Sequence, residues 1–357
     1  MHNSILVTGG AGFIGANFVR RWIATEGTSV INLDSLSYSG NLSSLESLCD
    51  EARYTFVRGN IKDRNLVTEL LHKHQPRAIV HFAAETHVDR AIVNPEEFIQ
   101  TNIVGTFQLL EAAREYWEQL KGDKRSRFVF LHVSTDEVYG SLGPHEDPFH
   151  ESTPYAPSSP YSASKAAGDH LAHAYHRTYG LPVLITHCSN NYGPFQFPEK
   201  LIPLMILNAT RGLSLPVYGD GQQVRDWLYV VDHCDAIRLV LARGRAGESY
   251  NIGGRNQKTN LEVVNTICGI LDELRPRSGG TSYASLITHI TDRPGHDRRY
   301  AIDTTKILNE IGWRPTELFE TGIRKTVEWY LNNSNWVNEV VSGQYREWVR
   351  VQYATAS

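Results

Sequence analysis

The sequence predicts an α/β fold of the Rossmann type: a doubly wound parallel sheet with a smaller, interleaved C-terminal domain. Short β-branched runs alternate with longer helical patterns through the first half, the mark of a parallel sheet wrapped by helices. A glycine-rich turn, Gly9-Gly10-Ala11-Gly12-Phe13-Ile14-Gly15, joins the first strand to the first helix, as dinucleotide-binding folds require. After residue 188 the rhythm breaks at Pro194, Pro198, Pro203, Pro216, Gly219 and Gly221, which marks a change of unit.

The elements follow in order. Strands are expected at 5–8, 29–33, 78–82, 128–133 and 184–188, and helices at 13–25, 95–116, 162–179, 231–242, 304–311 and 320–332. Residues 275–285, with Pro276, Gly279 and Gly280, read as an exposed loop. Residues 1–194 and about 231–253 are assigned to the dinucleotide-binding domain, and about 195–230 and 254–357 to a substrate domain. The tail 341–357 matches no motif, and its apolar and aromatic residues are expected to close the smaller domain.

Composition narrows the function classes. A net charge of −4 with no long single-sign run argues against a nucleic-acid or anionic-membrane partner. No stretch approaches the ~20 apolar residues of a membrane span, and the first residues lack a leader pattern. The four cysteines lie far apart with no C-x-x-C pair, so neither a disulfide framework nor a zinc site is indicated. A cytoplasmic location is expected. His170, His173 and His176 recur at helical spacing without the carboxylate of a zinc pattern, which suggests a solvated or interface role and no metal.

Glycine in the turn permits the tight bend and lets backbone N–H groups approach a pyrophosphate at the helix N-terminus. Asp34 ends the second strand, where an acid accepts from the ribose 2′-hydroxyl and repels a 2′-phosphate. The cofactor expected is therefore NAD rather than NADP.

Tyr161 and Lys165 form Y-x-x-x-K at the start of a helical segment, a spacing that puts both on one face. A neighbouring ammonium is expected to move the phenol's pKa down towards the working range, so that Tyr161 can take a hydroxyl proton. Ser134-Thr135-Asp136-Glu137 follows the apolar strand 128–133, at the carboxyl edge where open α/β sheets bind ligands. Two adjacent carboxylates there read as an acid and a base with pKa values driven apart. The structural alternative is that one of them caps the turn.

These motifs, with Leu33-Asp34-Ser35-Leu36-Ser37-Tyr38-Ser39-Gly40-Asn41, Ala83-Ala84-Glu85-Thr86-His87-Val88-Asp89, Tyr161-Ser162-Ala163-Ser164-Lys165, Ser189-Asn190-Asn191-Tyr192-Gly193-Pro194, Phe197-Pro198-Glu199-Lys200, Arg225-Asp226-Trp227 and Asp292-Arg293-Pro294-Gly295-His296-Asp297, resemble the dTDP-glucose 4,6-dehydratases of the extended short-chain dehydrogenase/reductase family over nearly the whole chain. The resemblance implies a nucleotide-sugar substrate, dTDP-glucose, and a reaction that regenerates its NAD. Tyr161 would deprotonate the C4 hydroxyl, Glu137 would remove the C5 proton, Asp136 would protonate the departing C6 hydroxyl, and Thr135 would polarise the C4 oxygen. It further implies that Gly9, Gly12, Phe13, Ile14, Gly15, Asp34, Asn60, Ile61, Ala83, Thr101, Tyr161, Lys165 and Asn191 surround the cofactor. Thr86, Thr135, Asn190, Lys200, Arg225, Asn260 and His296 would hold the nucleotide sugar. The helices 95–117 and 162–179 would pair with their copies in a homodimer.

Asn60 departs from the family pattern, in which an aspartate contacts the adenine amino group; the amide oxygen can still accept there, without the charge. An epimerase would share the glycine run and Y-x-x-x-K but needs no acid and base at C5 and C6, so Asp136-Glu137 argues against it. Dehydratases of UDP-glucose, CDP-glucose or GDP-mannose use the same chemistry and stay open. A catalytically silent NAD sensor could lose the acid, base and tyrosine that are present here.

Overall fold

The computed structural model describes residues 4–292 and 294–341; the expectation for the tail lies outside the described residues from 342 onward. Strand β1 (Ile5–Thr8) is buried at every position and leads through the glycine turn into α1 (Phe13–Thr25). There follow β2 (Val30–Asp34), β3 (Tyr54–Arg58), α2 (Arg64–His74) and β4 (Ala78–His81). After α3 (Val88–Val93), α4 (Pro95–Phe98) and a π-helical turn Ile99–Gly105 come α5 (Thr106–Gln119) and α6 (Gly122–Arg127). Next are β5 (Val129–Thr135), α7 (Pro160–Tyr179), β6 (Val183–Cys188), β7 (Asn190–Tyr192), α8 (Leu201–Thr210), β8 (Leu215–Tyr218) and β9 (Val224–Tyr229). The remainder comprises α9 (Val230–Arg243), β10 (Ser249–Ile252), β11 (Gln257–Thr259), α10 (Asn260–Leu274), β12 (Ile287–Ile290), α11 (Thr305–Ile311), α12 (Phe319–Asn332) and α13 (Ser334–Val340).

The main sheet has seven parallel strands in the order β10-β6-β5-β4-β1-β2-β3. Successive strand residues point to opposite faces, and the cores follow that rule: Ile5, Val7 and Val30 pack with Trp22 of α1 and Ile237 of α9, whereas Leu6, Ile31 and Phe130 pack with Leu110 of α5 and Leu71 of α2. Burial on both faces explains why these strands are continuous apolar runs rather than alternating ones. A separate core gathers Ile206, Trp227, Ile267, Phe319 and Trp336 around two small sheets, β11-β9-β7 and β12-β8. The direction of strand order reverses between β1 and β4, so a crevice opens at their carboxyl ends.

Two local expectations change. The single helix expected over 95–116 is divided: Pro95 starts α4, and the π-helical turn intervenes before α5. Gly105 lets this turn lie against Ile61, where a Cβ would come within 2.8 Å of that side chain. The break expected at Pro203 is instead the first turn of α8, where the missing N–H has no intrahelical role. Helix α7 is closely specified: Ser159 and Ser162 form a capping box, Pro160 is the first helical residue, and Gly180 closes it at φ +75°. No helix among the described residues is long and apolar enough to cross a membrane.

Several histidines are fully buried. Burial holds His132 down at about 4 and His233 at about 3, against an ordinary value of 6.5. These groups stay neutral in the folded chain, so as pH falls below 6.5 the unfolded chain gains protons that the folded one does not. Their stabilising contribution is thus present above 6.5 and is lost on the way to 4. We predict that His233→Asn, which keeps a donor for Asn191, flattens the fall in melting temperature between those pH values by the equivalent of about 1–3 kcal/mol; an unchanged slope would contradict this.

Candidate active site

A cleft with a cavity of about 350 Å³ runs along the carboxyl ends of β1, β2, β4 and β5. Its floor is the glycine turn. Gly9 has φ +74°, and a Cβ there would lie 2.5 Å from the Ala83 nitrogen; one at Gly15 would lie 2.2 Å from the Gly9 carbonyl oxygen. Helix α1 begins at Gly12 with no side-chain cap, and Gly12, Phe13, Ile14 and Gly15 all line the cleft. Its first N–H groups are thus available to an anion. Asp34 closes one side, its two carboxylate oxygens accepting from the backbone N–H groups of Ala11 and Leu36, each at 2.8 Å. Burial raises its pKa and these two bonds oppose the shift. Each oxygen keeps further acceptor capacity, which suits a ribose diol. A side-chain-free cradle, an uncapped helix start and this carboxylate together fit a dinucleotide.

Asn60, Ile61, Ala83, Thr101 and Asn191 also line the cleft. The Asn60 amide oxygen already accepts from the Lys62 N–H at 2.9 Å, leaving one acceptor position. Asn191 is held on both sides, by His233 Nδ1 at 2.9 Å from its Oδ1 and by its own Nδ2 donating to the Ser189 carbonyl at 3.0 Å.

Tyr161 is the second residue of α7, one turn before Lys165, and both are buried against the end of β5. The Thr135 hydroxyl stands near the phenol. The expected downward shift is not what the chain alone produces: burial pushes the Tyr161 phenol well up, and the charge of Glu137 adds to it. Lys165 sends its Nζ to the Val133 carbonyl at 2.9 Å, and burial lowers its own pKa. A buried site disfavours both charged forms, which spacing alone does not reveal.

Thr135 also caps the 3-10 turn Asp136–Tyr139, its Oγ1 accepting from the Glu137 N–H at 3.3 Å. The cap is therefore the hydroxyl and neither carboxylate. Asp136 is 2% exposed, and its Oδ2 has no hydrogen-bond partner. Burial raises its pKa well above the ordinary carboxylic range, with Glu137 and Asp226 adding and Arg225 opposing. Asp136 is thus displaced towards its protonated form, the direction a general acid requires. Cys188, which also lines the cleft and whose Sγ points to the Ser134 carbonyl at 3.4 Å, went unnoticed in the sequence because a lone buried cysteine has no pattern. Asp226 tunes Asp136 across a fold boundary that local spacing cannot reach.

Of the residues assigned to the nucleotide sugar, Thr86, Thr135, Asn190 and Lys200 line the cleft, and Lys200 Nζ donates to the Thr86 carbonyl at 3.1 Å. Arg225, Asn260 and His296 do not line it; they stand on the small-sheet side. Arg225 donates to the Val224 and Asp297 carbonyls and stacks 4.3 Å over Tyr300. Asn260 opens α10, its N–H donating to the Gln223 carbonyl. His296 Nδ1 sits 2.6 Å from Asp292. The histidine row is held internally rather than solvated at two of its three positions: His173 meets Ser249 Oγ at 3.2 Å and His176 meets the Leu181 carbonyl at 2.8 Å. Among the described residues no group of three or more His, Cys, Asp or Glu could hold a metal ion.

Seven parallel strands, the glycine turn, and Tyr161 and Lys165 beside a Thr-Asp-Glu turn define an extended short-chain dehydrogenase/reductase. Within that class the chain belongs to the family described as GDP-mannose 4,6 dehydratase, whose model matches residues 6–326. It is 61% identical over 341 residues to a dTDP-glucose 4,6-dehydratase of Xanthomonas campestris pv. campestris, covering 96% of this chain and 97% of that one. Among solved structures it resembles a dTDP-glucose 4,6-dehydratase of Bacillus anthracis in complex with NAD (48% identity, TM-score 0.84, covering 95% of this chain and 99% of that one). It also resembles one of Streptomyces venezuelae with NAD bound (46%, TM-score 0.86, 94% and 99%).

The protonation of Asp136 is directly measurable. Near neutral pH the infrared spectrum of the native protein should contain a carboxylic-acid carbonyl band that disappears in Asp136→Asn; a native-minus-variant difference holding only ionised-carboxylate bands would contradict a raised pKa.

Proposed function

We propose that this protein is an NAD-dependent hydro-lyase that converts dTDP-glucose to dTDP-4-keto-6-deoxy-glucose. The observation that carries the reading is a buried Asp136, its Oδ2 unpartnered and its pKa raised, next to Glu137 in the cleft that holds Tyr161 and Thr135: a redox tyrosine with its own elimination acid and base. The family's description names GDP-mannose, but the 61% relative over nearly the full chain is named for dTDP-glucose, which favours that substrate over its UDP and CDP counterparts.

The glycine turn and the start of α1, Gly9 to Gly15, would hold the pyrophosphate, Asp34 the ribose, and Asn60 and Ile61 the adenine end. Ala83, Thr101, Tyr161, Lys165 and Asn191 would surround the nicotinamide end. NAD would supply a positive ring charge that favours the phenolate and a nicotinamide able to take up a hydride and give it back. Tyr161 accepts the C4 hydroxyl proton, with the Lys165 ammonium supporting its ionised form, and Thr135 donates to the C4 oxygen. The resulting ketone acidifies C5, so Glu137 can remove that proton while Asp136 gives its own to the departing C6 hydroxyl, and water leaves. Glu137, after exchanging its proton with solvent, returns one to C5 to complete the product, and Tyr161 and Asp136 regain their starting protonation through solvent. Thr86, Asn190 and Lys200 hold the nucleotide sugar from the cleft wall, with Arg225, Asn260 and His296 closing from the small-sheet side.

The division into residues 1–194 with about 231–253, and about 195–230 with 254 onward, is supported by β10 returning to the main sheet and by the separate core around Trp227. A cytoplasmic homodimer completes the proposal. Ile92, Val93, Ile99 and Phe107 expose apolar surface along the α3–α5 side, Val93 at 82%, a pattern that a partner subunit would cover.

Incubation with dTDP-glucose, UDP-glucose, CDP-glucose and GDP-mannose should yield a 4-keto product fastest from dTDP-glucose; a faster rate with another nucleotide would overturn the substrate choice. Tyr161→Phe should abolish C4 oxidation while NAD still binds. Asp136→Asn should keep C4 oxidation, slow elimination by roughly 10²–10⁴ and accumulate reduced-nicotinamide absorbance. Glu137→Gln should lose exchange of the C5 hydrogen with solvent deuterium. Native turnover in both carboxylate variants would refute their roles. In sedimentation equilibrium Val93→Arg should convert a dimer to a monomer; a native mass unaffected by the change would refute the interface.

A further inference from the structure

Asp169 lies one turn beyond Lys165 on α7 and is completely buried. One of its oxygens accepts from Ser134 Oγ at 2.9 Å and lies 3.2 Å from His187 Nε2; the other is 3.2 Å from His132 Nε2. The surroundings lock this carboxylate further. His187 also meets the Tyr155 hydroxyl at 2.8 Å and the Tyr139 hydroxyl at 3.1 Å, and Tyr139 donates to Asn251 Oδ1 at 3.0 Å. Gly168 allows this close approach of helix to strand, since a Cβ there would already be 3.3 Å from His132. None of these contacts enters the chemistry derived above.

Two successive residues of β5 are thus tied to two successive turns of α7: Val133 through its carbonyl to Lys165, and Ser134 through its hydroxyl to Asp169. The next three residues are Thr135, Asp136 and Glu137, and one turn back on the same helix is Tyr161. We infer that Asp169 is a positioning residue that, through Ser134, holds the end of β5 in register with α7 and so fixes the elimination pair against the redox tyrosine. Rigid placement matters here because a displacement of about 1 Å at reacting groups can slow a reaction some 10²-fold.

A second consequence follows from charge. The groups facing Asp169 are Lys165 and His173 on α7, His132 on β5, His187 on β6, and Tyr139 and Tyr155 from the segment between β5 and α7. Burial works against its charged form, but the imidazoles of His132 and His187, each at 3.2 Å, outweigh this and hold the carboxylate below the ordinary range, so that it stays ionised. Its charge favours the Lys165 ammonium against the burial that opposes it.

The inference rests on the dehydratase reading, and the test separates the two. Asp169→Asn, Ser134→Ala and the double variant would be compared with the native protein, with NAD and dTDP-glucose. Each single change should slow turnover about 10–100-fold with KM for the sugar nucleotide changed less than about twofold. The double should be no slower than the slower single, because both act on one tie, Ser134→Ala by removing its donor and Asp169→Asn by replacing its charged acceptor with a neutral amide oxygen. In Asp169→Asn alone the alkaline limb of the pH profile should move down by about one pH unit as Lys165 loses its proton more easily; a residue that merely supports the fold would lower the melting temperature without moving that limb. The infrared carbonyl band of Asp136 should shift in both singles, a readout that needs no turnover. Additive rate losses, an unmoved limb and an unmoved band would overturn the inference. Absence of turnover in the native protein, with the band still shifting in the variants, would sink the dehydratase reading and leave the positioning role standing. Should Asp169→Asn fail to fold, Ser134→Ala decides by its kcat-to-KM split and its band, native values of both being the contradicting result.

Discussion

The meeting of the end of β5 with the first turns of α7 governs everything else in this molecule. A parallel sheet covered on both faces leaves only the carboxyl edge of its strands for chemistry. There Lys165 and Asp169 reach across from one helix to Val133 and Ser134 on one strand. The distance between a helix residue, Tyr161, and strand-end residues, Thr135 to Glu137, is thereby set by buried hydrogen bonds rather than by a flexible loop. The capping box and Pro160 fix where that helix starts, so the phenol stands at a defined depth in the cleft.

Burial then supplies the acid–base pattern. The same desolvation that raises the pKa of Asp136 raises that of Tyr161 as well, which suits the carboxyl for donation but leaves the phenol in need of nearby positive charge. Lys165 stands one turn away, and its own ionisation leans on Asp169. Arg225 moderates Asp136 from β9, on the other side of the cleft. The core of the main sheet and the core around Trp227 thus meet at one electrostatic cluster of Asp136, Glu137, Arg225 and Asp226.

Much of this was legible from residue order because the signals are local. Periodicity placed the strands β1, β2, β4, β5 and β6 and the helices α1, α7 and α9 to within one or two residues at most ends. The glycine turn, Asp34, the Thr-Asp-Glu turn and Tyr161 with Lys165 lie in one cleft, as short-range motifs predict. What remained hidden depends on distant contacts. The π-helical turn packs Gly105 against the distant Ile61, and α8 runs through Pro203 because a first turn has no use for that N–H. The direction of the Tyr161 shift depends on burial, which spacing does not report. Arg225, Asn260 and His296, carried over by resemblance, stand apart from the cleft wall, since their placement is set by the small sheets and not by any neighbour in sequence.

In the proposed reaction one site oxidises C4, eliminates water across C5 and C6, and returns the same hydride to C6. With dTDP-glucose carrying deuterium at C4, the label can be located in the product by mass and magnetic resonance. The deuterium should be found at C6 of the 4-keto-6-deoxy sugar, with a solvent-derived hydrogen at C5. Deuterium released from the sugar, or retained at C4 of an epimerised product, would contradict it.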